Sequence, residues 1–168
     1  MAREYSLTFR DAIEADATDQ IPVILVTITH PDIAEPIRLS TDPTMRLSVD
    51  PLRYGTVSRG ETFLFVPMVA RLPDETDEAP LSTELRLANL DAAMVKALRQ
   101  STRPASATLE MVLAASPDLD EESVTGLKVW SAEADLDEIS LSLARQSRDG
   151  EPWPCDRMTA SAFPGLFR

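Results

Sequence analysis

Near the start of the chain apolar side chains recur every four residues, at Tyr5, Phe9 and Ile13 with Ala12 alongside, while Arg10, Asp11 and Glu14 point elsewhere. A repeat of about 3.6 residues gathers such positions on one face, so the spacing predicts an amphipathic helix over about residues 3–16, resting on the body through a narrow stripe. The period then changes. Val23 and Leu25 alternate with Ile24, Val26 and Ile28, which makes both faces apolar, as in a central strand covered on both sides. This apolar run contains Pro22 and stops at Thr29-His30-Pro31, so it has the length of a strand rather than of a membrane helix. Pro31-Asp32 and Glu35-Pro36 then mark a turn before the short extended piece Ile37-Arg38-Leu39, which completes a hairpin.

The next two β-rich runs, within residues 54–66, are separated by Arg59-Gly60, a glycine-containing turn and the strongest local hairpin signal in the chain. Pro67 and Pro73 bracket Met68-Val69-Ala70-Arg71-Leu72. Proline cannot donate to a ladder, so this piece reads as an edge strand or a strand with a break. An acidic loop follows at Asp74-Glu75-Thr76-Asp77-Glu78, and then a strand with one wet face, Ser82, Glu84 and Arg86 alternating with Thr83, Leu85 and Leu87. Asn89 can cap a short internal helix carrying Leu90, Met94, Val95 and Leu98 on one face. Residues 107–114 read as a strand with Leu109, Met111 and Leu113 on one side and Thr108, Glu110 and Val112 on the other. A polar loop is expected over residues 116–123. Between 125 and 145, Ala132, Leu136, Ile139 and Leu143 fit a helix, whereas Leu127, Val129, Ile139, Leu141 and Leu143 fit strands. Ser140 and Ser142 are poor helix formers, which decides for two strands.

Strands thus outnumber helices and connections are short. The expected fold is mainly β (α+β): an antiparallel β-sandwich or flattened barrel with an N-terminal helix and one short internal helix. No repeat or low-complexity linker divides the 168 residues, so a single domain, 1–168, is expected. Residues 149–168 form its irregular arm: Gly150, Pro152, Pro154, Pro164 and Gly165 oppose regular structure, yet Trp153, Phe163, Leu166 and Phe167 are strongly apolar. Those four are the candidate interface residues, to be covered by the chain's own body or by a neighbour.

Composition narrows the chemistry. Hydrophobic residues at 43% and charged residues at 26% are globular values, which excludes a wholly disordered acidic chain. The formal charge of −12 repels phosphate backbones and anionic lipid surfaces, so neither nucleic-acid binding nor membrane insertion is expected. Cys155 is the single cysteine and His30 the single histidine. No internal disulfide can form, a tetrahedral zinc site lacks ligands, and no nucleophile-elbow or thiol-protease signature surrounds either residue. His30 reads as a hydrogen-bonded structural or surface residue, Cys155 as a structural thiol. The clusters Asp74-Glu75-Thr76-Asp77-Glu78 and Asp118-Leu119-Asp120-Glu121-Glu122 could offer oxygens to calcium, but their spacing lacks an EF-hand's glycine and terminal carboxylate, and solvated loops are the plainer reading. No glycine-rich phosphate loop occurs, so no cofactor is expected. Paired carboxylates could come together in space, yet two Trp and two Tyr supply little for a sugar-stacking cleft, and no catalytic residue is assigned.

Several stretches, in order, resemble a family of phage and prophage tail proteins known only as a domain of unknown function, number eighteen thirty-three. They are Pro22-Val23-Ile24-Leu25-Val26-Thr27-Ile28-Thr29-His30-Pro31, Glu35-Pro36-Ile37-Arg38-Leu39-Ser40 and Ala70-Arg71-Leu72-Pro73-Asp74-Glu75. The ending is closer still: Glu151-Pro152-Trp153-Pro154-Cys155-Asp156-Arg157-Met158-Thr159, then Phe163-Pro164-Gly165-Leu166-Phe167, is similar to the family's P-(aromatic)-P-x-D-R-(apolar)-T and F-P-G-L-F pattern. Cys155 stands where such tails are often small. The resemblance implies a non-enzymatic structural component of a phage or prophage-derived tail, at or near the tail tip. It would be made in the bacterial cytoplasm and carried on the particle, with other tail proteins, and possible further copies of itself, as partners. The alternative is a β-sandwich module binding carbohydrate or a calcium-dependent ligand.

Overall fold

A computed structural model describes residues 5–70, 82–88, 104–135, 138–145 and 165. Among them are one helix, α1 (Leu7–Glu14), and ten strands: β1 (Pro22–Thr29), β2 (Ile37–Ser40), β3 (Met45–Val49), β4 (Leu52–Ser58), β5 (Glu61–Phe65), β6 (Met68–Ala70), β7 (Ser82–Ala88), β8 (Ser106–Leu113), β9 (Ser116–Ala134) and β10 (Glu138–Arg145). The fold is mainly β with an N-terminal helix, as expected. The strands form one mixed sheet in the order β3-β4-β5-β2-β1-β8-β9-β10-β7-β6, antiparallel throughout except where β2 runs parallel to β5. β1 is central, between β2 and β8.

The ladder is not closed into a barrel, yet its two arms are tied by one stretch of chain. β5 ends at Phe65 and β6 begins at Met68. Between them the Val66 amide donates to the Ser40 carbonyl on β2 at 3.1 Å, and the Pro67 carbonyl accepts from the Ala88 amide at the end of β7 at 2.9 Å. Successive residues of extended chain turn their backbone groups to opposite sides. The run 61–70 therefore carries β2 on one side and β7 on the other, and Pro67 breaks it where an N–H is missing. The sheet is drawn round so that Val26, Leu39 and Val66 share a core with Leu85, Leu87, Leu109, Leu127, Leu141 and Leu143. On the other face of β1, Val23 and Leu25 pack with Phe63 and Val112 in a smaller cluster. Two-sided burial explains the double apolar pattern of β1.

The Arg59-Gly60 turn is a two-residue connection between β4 and β5, with φ of 50° at Arg59 and 80° at Gly60, the left-handed pair that suits a tight hairpin. β7 alternates as its sequence predicts, burying Leu85 and Leu87. Two strands, β9 and β10, cover residues 125–134 and 138–145, where the pattern also fits a helix. The expected internal helix and the acidic loop at 74–78 lie outside the described residues.

Three expectations change. α1 is shorter than predicted, and only Phe9 of the stripe is buried; Ile13 is 64% exposed. The polar loop at 116–123 is instead the opening of β9, joined to β8 by a turn at Ala114-Ala115. The expected alternation in β8 fails beyond Met111, because register shifts on either side of Val112 let both Val112 and Leu113 be buried. β3 was not anticipated at all.

Candidate interaction surfaces

The described polar side chains are largely engaged in tying elements together. Ser40 and Thr56, both buried, share a hydrogen bond of 2.8 Å between their hydroxyls, and the Ser40 hydroxyl also accepts from the Asp42 amide at 3.0 Å. Asp42 in turn accepts from the Thr44 amide and hydroxyl, each at 2.9 Å, which shapes the link from β2 to β3. Ser58 donates to the Pro117 carbonyl at 2.7 Å, joining β4 to β9. His30 lies just beyond β1, where its Nδ1 accepts from the Asp32 amide at 3.0 Å, a structural placement in a turn.

The second acidic cluster has the same character. The Arg59 guanidinium reaches Glu110 on β8 and Asp120 on β9, each at 2.5 Å, while the Arg59 amide donates to Asp118. The hydrogen bond to Glu110, first among the causes, raises the Arg59 pKa above the usual arginine value. Next along the strand, Glu121 is buried and accepts from the Ser6 amide at 2.8 Å and the Ser6 hydroxyl at 2.6 Å, and Glu122 accepts from the Tyr5 hydroxyl at 3.0 Å. Ser6 is also the N-cap of α1, its hydroxyl accepting from the Phe9 amide at 3.1 Å. Four neighbouring carboxylates that read as a solvated loop thus clamp one turn and one helix.

Two elements among the described residues carry exposed apolar side chains beside charged ones. The β3–β4 hairpin turns at Asp50-Pro51, a cis peptide bond, and carries Met45, Val49, Leu52 and Tyr54 exposed, with Val49 at 72% and Leu52 at 59%. Arg46 and Arg53 are exposed on the same hairpin. Its tip at Leu52 lies six residues along β4 from Ser58, about 20 Å from the contact with β9 at the usual strand rise. The second surface is the outer side of α1. Leu7, 76% exposed, shares a stripe opposite Phe9 with Asp11 and Glu14, whereas exposed Ile13, four residues after Phe9, lies on the Phe9 side of the helix. Exposed Asp16 and Asp19 continue it toward β1, and Arg10 at its border is the one base of the helix. Trp130, also exposed, is the extra residue where the register of β9 against β10 shifts between Val129 and Ser131.

None of these positions was singled out as a site from the sequence. The hairpin had a signal, since Met45, Leu47 and Val49 alternate up to Asp50-Pro51. The predicted interface residues Trp153, Phe163, Leu166 and Phe167, together with Cys155, lie outside the described residues. No family model and no curated protein matches the chain. Among the described residues no helix is long and apolar enough to cross a membrane.

Proposed function

We propose that this chain is a structural component of a phage or prophage-derived tail, at or near the tail tip, acting by contact with neighbouring proteins. One observation carries the reading beyond the family resemblance. Buried polar side chains such as Ser40, Thr56 and Ser58 bind strand to strand, whereas the exposed apolar side chains Met45, Val49, Leu52 and Tyr54 share the β3–β4 hairpin. Apolar side chains grouped at the surface with a charged rim are the composition of contact surfaces. The calcium-dependent alternative draws no support from residues 118–122, because protein donors already engage Asp118, Asp120, Glu121 and Glu122.

Removing the gene from a particle-producing host should yield particles arrested or malformed at the tail tip by electron microscopy, restored by the gene in trans. Normal, infective or injecting particles without the protein would sink the proposal. Truncation of residues 150–168 separates the two roles of the terminal arm. Unchanged melting with lost assembly assigns Trp153, Phe163, Leu166 and Phe167 to a neighbour; lost stability assigns them to the chain's own body.

A further inference from the structure

We draw no further inference here: the strongest candidate, the exposed face of the β3–β4 hairpin on which Val49, Leu52 and Tyr54 share one side with Arg46, is an unpartnered apolar surface, and nothing in the structure shows what covers it.

Discussion

At the scale of single residues, close approach fixes Gly55 and charge convergence fixes Arg59. Gly55 on β4 shows the first. A Cβ added there would collide with the Phe63 backbone carbonyl on β5 and stand 2.8 Å from Leu47 Cδ1 on β3. Backbone of a paired strand cannot yield as a side-chain tip can, so Gly55→Ala should destabilise by about 3 kcal/mol or more, read from chemical denaturation. A loss under about 0.5 kcal/mol would mean that the hairpin slides freely against β5. Arg59 shows the second. It holds a left-handed backbone while its side chain bridges Glu110 and Asp120. Arg59→Asn retains a residue suited to that backbone and removes the bridge, which isolates the ionic contribution. Because the Arg59 side chain is 39% exposed, the discounted loss is about 1 kcal/mol, and raised salt should shrink the difference between variant and wild type. An unchanged denaturation midpoint would show that the bond from the residue-59 amide to Asp118 holds the turn without help from the cation.

At the scale of elements, α1 and β9 explain both what the sequence made legible and what it hid. Periodicity located α1 because Phe9 and its neighbours repeat at helical spacing, but it overstated the stripe. Eight residues are too few to be helical by themselves, so tethers rather than a broad apolar face hold α1. Those tethers are Ser6 to Glu121, Tyr5 to Glu122 and the Tyr5–Phe9 ring contact at 5.2 Å between centroids. The two glutamates lie more than a hundred residues away in sequence, which no local pattern reveals. The same fact explains why residues 118–122 looked like a loop: acidic residues are depleted in strands, and here each has a partner supplied by another element. β3 escaped notice because its alternation is short and half exposed. Glu121→Ala should therefore free α1 with little effect on the sheet, at a cost of about 1–3 kcal/mol. Amide exchange should speed up across Leu7–Glu14 while β1 and β8 keep their protection. Equal loss of protection in β1 would instead make the helix part of the cooperative core.

At the scale of the whole molecule, strand order determines what can fold alone. β1 to β7 precede residue 89, and β8 to β10 follow residue 103. The sheet interleaves these halves, for β1 pairs with β8 over the full length of both strands and β7 pairs with β10 from Ser82 to Ala88. A chain ending at residue 88 would expose one edge of β1 and the unpaired edge of β7, together with Val26, Ile28, Leu85 and Leu87, all buried in the intact core. The remaining piece would keep β8-β9-β10 but lose both flanking strands and half of its apolar cover. Neither piece retains a closed core, so residues 1–88 and 89–168 should each lack a cooperative melting transition. Mixed, they have every pairing needed to reform the sheet, and they should recover far-UV circular dichroism and a single transition at a lower temperature than the intact chain, because association now costs translational freedom. A cooperative transition from residues 1–88 alone would refute the dependence of β1 on β8. It would also place the folding core in β1, β2 and β5 rather than in the interleaved sheet.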